Sequence, residues 1–265
     1  MADVKVAVHG ATGRVGAEIL KAVSGDPELD LVGAISLDAD GSPLPVPDSP
    51  VTIPHTLDLQ SLLTQCSPSV VVDFTRADAS MAMARTAVRN GIHLVIGTSG
   101  LSPEDMAEID SLCKAGKVGA VIAANFALGA VLQIHLAKIA SRFFDYAEII
   151  ERHHETKVDS PSGTALATAK EMVEARGRPF ELTRTEKVNL PGTRGGQIGG
   201  VAIHSIRSQG SVAHQEVILG GLGQTLTIRH DTSGRLCYMP GVLMALKEVS
   251  NRVGVVYGLD SLLGL

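Results

Sequence analysis

The N-terminal segment from residue 4 to residue 38 constrains the fold more than any other part of the chain. Its apolar pattern predicts a β-strand at residues 4–8, a helix at 15–23 and a second strand at 31–37. Three glycines follow the first strand: Gly10, Gly13 and Gly16. This order is typical of the dinucleotide-binding unit of Rossmann folds, in which the backbone approaches a pyrophosphate at a helix N-terminus. The segment therefore predicts an N-terminal Rossmann domain.

Asp38 ends this segment where a Rossmann unit carries the acid that binds a ribose, roughly 20 residues past the glycines. Arg14 would lie beside the phosphates. A GxxGxxG pattern alone is weak, so the prediction depends on the whole order of strand, glycines, helix, strand and acid. The dinucleotide-binding residues predicted here are Gly10, Thr12, Gly13, Arg14, Val15, Gly16 and Asp38.

Strands and helices continue to alternate after a proline-rich surface loop. The pattern predicts strands at 70–75, 93–96 and 118–123, and helices at 57–65, 77–90 and 103–114. Continuously apolar strands are typical of a buried parallel sheet, whose ligands bind beyond the carboxyl ends of the strands. We therefore expect a nicotinamide ring to contact the turns after these strands, at Phe74, Thr75, Gly97, Thr98, Ser99, Ala124, Asn125 and Phe126.

After a predicted helix at 129–144, the pattern changes to consecutive strands joined by glycine-rich turns. Strands are predicted at 187–190, 201–207, 213–219 and 225–230, a flexible loop at 191–196, and a final helix at 242–249. Consecutive strands indicate a mixed or antiparallel sheet with helices on one face. The predicted fold class is α/β, with a Rossmann domain at 1–126, an α+β domain with a mixed sheet at 127–236, and a segment at 237–265 that packs back on the first domain.

Residues 148–165 connect the predicted helix at 129–144 to the strands that follow. A strand is predicted to end at residue 150, and a helix is predicted at 164–175, with Gly177 placed to stop it. Pro161 keeps the preceding backbone out of a helix, and Ser162 can cap the first turn. Residues 152–163 are therefore expected to form a connection that exposes its side chains.

The side chains of this connection indicate a binding site for a small anion. His153 and His154 are neighbours that point in different directions on an extended backbone, so one can deliver a proton while the other binds or orients. Lys157 adds a positive charge, and the turn 162–164 opens a helix whose free N–H groups attract anions. This set predicts a carboxylate or phosphate substrate. The alternative is a solvated loop of polar residues.

Composition narrows the class of protein. The net charge is −5 with a pI of about 6.0, there is no polybasic run, and only 3% of residues are aromatic, so nucleic-acid binding is not expected. Cys66, Cys113 and Cys237 are odd in number and scattered, which favours a reducing compartment and no metal site. The start of the chain lacks a signal-peptide pattern and no apolar run has the length of a membrane span, so a cytoplasmic protein is expected.

The central stretch resembles the signature of the 4-hydroxy-tetrahydrodipicolinate reductases, also called dihydrodipicolinate reductases, of bacterial and plant lysine biosynthesis. The matching residues are Glu148, Ile149, Glu151, His153, Lys157, Asp159 and residues 161–165. The resemblance extends over nearly the whole chain. It includes GATGRVG at 10–16, VVDFT at 71–75, GTSG at 97–100 and NFALGA at 125–130.

This resemblance implies an enzyme that reduces 4-hydroxy-tetrahydrodipicolinate to tetrahydrodipicolinate, with NADH or NADPH as hydride donor and no metal. It implies a homotetramer built through the second-domain sheets and a hinge that closes the two domains on a dicarboxylate substrate. His153 matches the general acid of the family, and Lys157 is expected to act with it. The substrate-binding positions match His154, Lys157, Ser162, Gly163 and Thr164, and the cofactor loop matches Gly10, Gly13 and Gly16.

Two departures from the family pattern leave the cofactor open. Ser160 stands where alanine is more usual, and Asp38 is followed by Ala39, where relatives that favour NADPH can have arginine. The missing cation argues for NADH, although Arg14 could compensate. Two alternatives to the reductase also remain: a non-enzymatic dinucleotide sensor, and another two-domain Rossmann oxidoreductase such as an aspartate-semialdehyde or sugar dehydrogenase.

Overall fold

The computed structural model describes residues 4–265. Short 3₁₀ turns follow or precede some of the helices, at Ser141–Phe143, Arg235–Tyr238 and Val249–Asn251. The strands are β1 (Val4–His9), β2 (Leu29–Ile35), β3 (Leu44–Pro45), β4 (Thr52–Ile53), β5 (His55–Thr56), β6 (Val70–Asp73), β7 (His93–Ile96), β8 (Gly119–Ile122), β9 (Tyr146–His153), β10 (Gly196–Ile198), β11 (Val201–Arg207), β12 (Ala213–Gly221), β13 (Gln224–Thr232) and β14 (Gly254–Tyr257). The helices are α1 (Gly16–Ser24), α2 (Leu59–Leu62), α3 (Ala77–Arg89), α4 (Pro103–Gly116), α5 (Leu128–Ala140), α6 (Gly163–Arg176), α7 (Met239–Glu248) and α8 (Asp260–Leu263).

The chain divides into two compact units. The first contains the residues up to Leu128 together with Arg235–Leu265, and the second is Gly129–Gly234. The first unit has a seven-stranded sheet in the order β14-β8-β7-β6-β1-β2-β5. Every pairing in it is parallel, which confirms the Rossmann-type sheet predicted from the alternating pattern.

Burial explains why the strands of this sheet are apolar throughout. All four residues of β6 and all four of β8 are buried, as expected for central strands with helices on both faces. Two helices of this unit begin at a side-chain cap, which is Asp58 for α2 and Ser102 for α4. Ser102 and Asp105 form a reciprocal capping box at the start of α4, where Pro103 takes the first helical position. Apolar patterns of this kind are the reason that strands β1, β2, β6, β7 and β8 and helices α1, α3 and α4 could be predicted.

The second unit has a mixed five-stranded sheet in the order β10-β11-β9-β12-β13. The central strand β9 runs parallel to β11 and antiparallel to β12. Helices α5 and α6 pack on one face, where Ile149, Ile203 and Val217 form the core with Ala169 and Met172 of α6. The mixed sheet with helices on one face is therefore confirmed.

Strand β9 alternates between its two faces. Ala147, Ile149 and Glu151 are buried, whereas Tyr146 is exposed and Glu148 is partly exposed. Because side chains two apart share a face, the carboxylate of Glu151 lies on the helix-covered side of the sheet. The same rule places the side chain of His153 on the helix-covered side, whereas His154 lies beyond the end of the strand.

Several predicted boundaries were wrong. Strand β9 continues to His153 instead of ending at residue 150, because β11 and β12 supply partners as far as Arg207 and Ala213. The second strand is Leu29–Ile35 instead of 31–37, and Leu37 is 85% exposed beyond it. The predicted helix at 57–65 is the single turn of α2.

The segment between α6 and β11 also differs from its prediction. Residues 187–190 form no strand and are exposed, whereas Gly196–Ile198, at the end of the predicted flexible loop, forms β10. Pairing with β11 decides this, because Gly196 lies opposite Ile203 and Ile198 lies opposite Val201. The pattern also missed β14 and the two-residue strands β3, β4 and β5. Within residues 4–265, no helix is long and apolar enough to cross a membrane.

Candidate active site

The end of β9 and the start of α6 bring most of the predicted substrate-site residues to one part of the second unit. His153 is the last residue of β9, and its side chain is 15% exposed. His154 follows outside the strand, is exposed, and holds its Nδ1 2.8 Å from the hydroxyl of Thr156. The two histidines thus have different surroundings, as their adjacency on an extended backbone suggests.

Glu151 is the centre of this site, and sequence reasoning did not give it a role. Its side chain is 0% exposed, and Oε2 lies 2.5 Å from Nδ1 of His153. Arg207 donates to both carboxylate oxygens, over 2.9 Å and 2.8 Å. The backbone N–H of Ser162 donates to Oε1 over 3.3 Å. A charged residue at an inward position of an alternating strand was the available signal.

Burial and the neighbouring carboxylate act on the pKa of His153 in opposite directions. Burial lowers the pKa of His153, and the hydrogen bond and charge of Glu151 raise it, with the net pKa below its ordinary value. Burial raises the pKa of Glu151, but hydrogen bonds from Arg207, Ser205 and His153 outweigh it and hold that pKa below its usual range. Glu151 is therefore a carboxylate at neutral pH despite its burial.

The N-terminus of α6 supplies an open anion-binding turn. Ser162 caps the helix, and its hydroxyl accepts from the N–H of Ala165 over 3.2 Å. The first N–H groups of a helix have no partner within it, so those of Gly163 and Thr164 are available to a ligand. A Cβ added at Gly163 would meet nothing within 4 Å, so the space beside this backbone is open. Gly177 ends the helix in the left-handed conformation, as predicted.

Lys157 lies in the connection between β9 and α6, where it is paired. Its Nζ is 2.6 Å from Asp159 Oδ1, and the hydrogen bond from Lys157 lowers the pKa of Asp159. The backbone carbonyl of Asp159 accepts from Arg207 over 2.7 Å. Arg207 therefore holds both the carboxylate behind His153 and the loop that carries Lys157.

In the glycine loop of the first unit, residues 10–16, backbone segments pack directly against one another. The N–H of Gly10 donates to Ile35 over 2.8 Å, and that of Gly13 donates to Gly10 over 3.0 Å. A Cβ at Gly16 would lie 2.0 Å from the carbonyl oxygen of Gly10, so no side chain fits there. This is the close helix-to-strand approach that a dinucleotide-binding turn requires, and α1 begins at Gly16.

Asp38 lies beside this loop although β2 ends three residues earlier. Thr12 donates from its hydroxyl to Asp38 Oδ1 over 2.8 Å. Hydrogen bonds from Ser36 and Thr12 lower the pKa of Asp38. Arg14 is exposed on the same loop, and Val15 is partly buried behind it. The structure therefore brings together the loop and the acid that the sequence pattern placed in one site.

The ends of β6 and β7 meet at the buried carboxylate of Asp73. Thr98 and Thr75 each donate a hydroxyl hydrogen bond of 2.7 Å to it, and His9 Nδ1 lies 2.8 Å away. The N–H of Thr75 in turn donates to Thr98 over 2.7 Å. The sequence predicted Asp73 only as part of a turn. Two of its partners, His9 in β1 and Thr98 after β7, are distant from it along the chain.

The remaining predicted contacts of the nicotinamide lie around two aromatic rings. The ring centroids of Phe74 and Phe126 are 5.4 Å apart, and a Cβ at Gly97 would lie 2.2 Å from the Phe74 ring. Ser99 and Ala124 are exposed, and Asn125 accepts from the N–H of Ala127 over 2.9 Å. Turns after three strands are thus adjacent within the first unit. Among residues 4–265, no group of three or more His, Cys, Asp or Glu residues could hold a metal ion.

Two family models match the chain. The model described as "Dihydrodipicolinate reductase, N-terminus" matches residues 4–126, and the one described as "Dihydrodipicolinate reductase, C-terminus" matches residues 129–263. A protein of Dehalococcoides mccartyi named 4-hydroxy-tetrahydrodipicolinate reductase is 50% identical over 265 residues, which is 100% of both chains. A protein of the same name from Moorella thermoacetica is 46% identical over 267 residues, 99% of each.

A solved structure is similar over the same extent. It is described as "Dipicolinate bound Dihydrodipicolinate reductase from Paenisporosarcina sp. TG-14" and has a TM-score of 0.87 at 35% identity. The match covers 97% of this chain and 98% of that chain. The similarity therefore includes both units.

Proposed function

The chain belongs to the dihydrodipicolinate reductase family, and we propose a residue-level account of how it reduces 4-hydroxy-tetrahydrodipicolinate to tetrahydrodipicolinate. The enzyme is an NAD(P)H-dependent oxidoreductase of diaminopimelate and lysine biosynthesis. The full-length identity to reductases does not favour the dinucleotide sensor or another Rossmann dehydrogenase. The single observation that carries the account is the bond between His153 and Glu151 at the end of β9, where Glu151 also accepts from Ser162 at the start of α6.

The first unit is proposed to bind the dinucleotide through the glycine loop and the turns after β6, β7 and β8. A bound nicotinamide nucleotide supplies the hydride. The fit is supported by Gly16, where no side chain can be accommodated, and by the helix N-terminus that follows. Thr12 and Asp38 would bind the ribose hydroxyls. Because Asp38 carries a negative charge and a lowered pKa, we favour NADH over NADPH as the donor, with the exposed Arg14 of the glycine loop as an offsetting cation.

The substrate is proposed to bind at the N-terminus of α6. One carboxylate would accept hydrogen bonds from the N–H groups of Gly163 and Thr164 and from the hydroxyl of Ser162. The helix dipole also favours an anion at this position. His154 and Lys157 would hold the remaining polar groups. Lys157 is oriented by Asp159, so its ammonium group is in place before the substrate arrives. The relative in the solved structure is described as bound to dipicolinate, an aromatic dicarboxylate of similar shape.

His153 is proposed to act as the general acid. Loss of the 4-hydroxyl group as water leaves a conjugated cyclic imine, which accepts hydride at ring carbon 4. The electrons move toward the ring nitrogen and leave an enamine, whose neighbouring carbon takes up a proton. The Nε2 atom of His153 would donate that proton, since Nδ1 is engaged by Glu151.

The uncovered face of the second sheet is proposed to form a homotetramer. Tyr146 and Ile206 lie on this face and are each 43% exposed, which leaves apolar area for a second copy of the chain. The proposal is supported by the resemblance to the reductases. The cytoplasm is the proposed compartment, and the thiols of Cys66 and Cys113 suit it.

A steady-state assay that follows nicotinamide absorbance tests the reaction directly. The substrate is the freshly made condensation product of aspartate semialdehyde and pyruvate, supplied with NADH or NADPH in separate series. Oxidation that requires this substrate is the expected result. A protein that binds the nucleotide but oxidises neither NADH nor NADPH in the presence of this substrate would contradict the proposed function and favour a sensor.

A further inference from the structure

We propose that Glu151 is the positioning residue for His153: its buried carboxylate fixes which imidazole nitrogen carries the exchangeable proton and aims that nitrogen at the start of α6. The inference deepens the proposed function, since it rests on His153 as the proton donor. Neither the family match nor the signature gives Glu151 a role. The contacts around the carboxylate carry the argument.

The first step is the tautomer of His153. An ionised carboxylate only accepts hydrogen bonds, so Nδ1 of His153 must be the donor across the 2.5 Å contact with Oε2. The neutral ring then carries its proton on Nδ1, and Nε2 has the free lone pair. Protonation of the ring adds a proton at Nε2 only. Nε2 is therefore the atom that can give a proton to a substrate and recover it from solvent.

The second step concerns the state of Glu151 itself. A carboxylate that is 0% exposed would take up a proton unless other charges opposed it. Arg207 opposes it with two hydrogen bonds, one to each oxygen, in the bidentate arrangement that suits a guanidinium. If Glu151 were neutral, its hydroxyl could donate to Nδ1 and reverse the tautomer. Arg207 therefore maintains the protonation pattern of His153 through Glu151.

The third step is the link to the anion-binding turn. The oxygen of Glu151 that does not contact His153 accepts from the N–H of Ser162 over 3.3 Å. One rigid carboxylate thus sets the positions of both the imidazole and the first turn of α6. A proton donor and an anion site that are fixed by the same group keep a constant separation, which general acid catalysis requires.

Glu148 offers a comparison for Glu151, because it is also a glutamate of β9 that is paired with a histidine and an arginine. It lies three residues earlier on β9, on the opposite face, and bonds His204 Nε2 over 2.9 Å and Arg194 over 2.5 Å. Glu148 is paired with a histidine and an arginine, as Glu151 is, but it is partly exposed and lies on the face of the sheet opposite Glu151. Glu148→Gln is therefore a matched control for Glu151→Gln, with the same chemical change on the same strand.

The kinetic test compares these two variants. Glu151→Gln is expected to lower kcat roughly tenfold or more while KM for the substrate changes less than about threefold, because the proton donor is misaligned and substrate contacts remain. Loss of the carboxylate also lowers the pKa of His153, so the fall in activity with rising pH should begin at lower pH. Glu148→Gln should leave both unchanged, and its oligomeric state is compared with that of the wild type because Glu148 lies on the sheet face proposed for assembly. Wild-type kcat in Glu151→Gln would overturn the proposal.

A double variant separates positioning from general structural support. In a His153→Gln background, Glu151→Gln should change kcat by less than about twofold. The glutamine oxygen can still accept from the N–H of Ser162, and the rest of the effect passes through a ring that is no longer present. Losses that multiply in the double variant would show that Glu151 acts by another route. Full turnover in His153→Gln alone would instead refute the proposed general acid, so the two failures are distinguishable.

Nitrogen-15 NMR of the wild-type protein tests the tautomer without any assay. The His153 signals can be identified by their loss in His153→Gln, which is necessary because the chain has nine histidines. Above the pKa of the ring, a protonated Nδ1 and an unprotonated Nε2 are expected. The opposite pattern would overturn the proposal even if Glu151→Gln fails to fold or the proposed substrate is not reduced.

Discussion

The hydroxyl of Thr12 donates a 2.8 Å hydrogen bond to the carboxylate of Asp38, which joins the glycine loop to the segment after the second strand. This bond orients the acid toward the place where a Rossmann unit holds the ribose of its nucleotide. The hydrogen bonds from Ser36 and Thr12 lower the pKa of Asp38, so its charge persists near neutrality. The charge at this position is expected to decide between the two nicotinamide nucleotides.

Asp38→Asn should shift cofactor preference toward NADPH. The amide can still accept from Thr12, but it no longer repels a 2′-phosphate, so the ratio of kcat/KM with NADPH to that with NADH should rise about tenfold. The measurement is kcat/KM with each cofactor. Asp30→Asn, an exposed change near the start of β2, is the control. An unchanged ratio would mean that Asp38 does not face the ribose.

His153→Gln should abolish most of the turnover. Removing a general acid typically costs about 10²- to 10⁴-fold in rate, because glutamine cannot donate a proton to carbon. Nucleotide affinity should not change, since the predicted dinucleotide-binding residues are in the first unit. His154→Gln is the comparison, and it should raise KM more than it lowers kcat. Steady-state kinetics with an equilibrium titration of NADH checks both, and unchanged turnover would remove His153 from its proposed role.

Gly163→Ala should weaken substrate binding without harming the fold. The added Cβ would meet no atom of the chain within 4 Å, so the free energy of unfolding should not fall. It would instead occupy the space of a carboxylate at the helix start, and loss of one charged hydrogen bond corresponds to roughly a tenfold rise in KM. Gly25→Ala, where a Cβ makes ordinary contact, should change neither quantity. A KM that stays at the wild-type value would place the substrate elsewhere.

Thr98→Val should destabilise the first unit. The change removes the donor to buried Asp73 and the acceptor for the N–H of Thr75, and an unsatisfied buried group costs about 1–3 kcal/mol. Urea unfolding measures the loss. Thr64→Val, which removes one exposed bond to Ser61, is expected to cost less than about 0.5 kcal/mol. Equal effects of the two variants would show that the Asp73 cluster does not support the turns.

His93 should make the protein less stable in mild acid. Burial lowers the pKa of His93, and its Nδ1 accepts from the N–H of Gly119 over 2.9 Å, a bond that protonation would break. Because the folded pKa lies below the unfolded value of about 6.5, the unfolded state binds more protons in the interval between them, and stability falls as pH drops through it. His93→Gln keeps an acceptor and does not titrate.

The measurement is the free energy of unfolding in urea at about pH 7.5 and about pH 5. The difference between the two values should be smaller for His93→Gln than for the wild type. Thr64→Val, which changes no titratable group, should retain the wild-type difference. A His93 variant with an unchanged pH dependence would show that other groups cause the loss in acid.

The candidate site could be predicted only in part. The residues that would touch ligands were visible because each belongs to a local pattern: a glycine loop before a helix, a Ser-Gly-Thr cap, a pair of histidines with a lysine. The residues that hold them were not. Glu151 and Arg207 are 56 positions apart, and Asp73 meets Thr98 across 25 positions. The family signature includes Glu151 but does not say what it bonds.

The sequence by itself determined the longer helices and most of the longer strands, the glycine turns, and the caps at Ser162 and Gly177, because these depend on side chains within a few residues of one another. The tertiary structure alone decided that β9 extends to His153, that β14 completes the parallel sheet, and that Arg207 lies behind Glu151. The physical reason is strand register. Which residues face each other across a sheet depends on pairing between distant segments, and no local pattern specifies it.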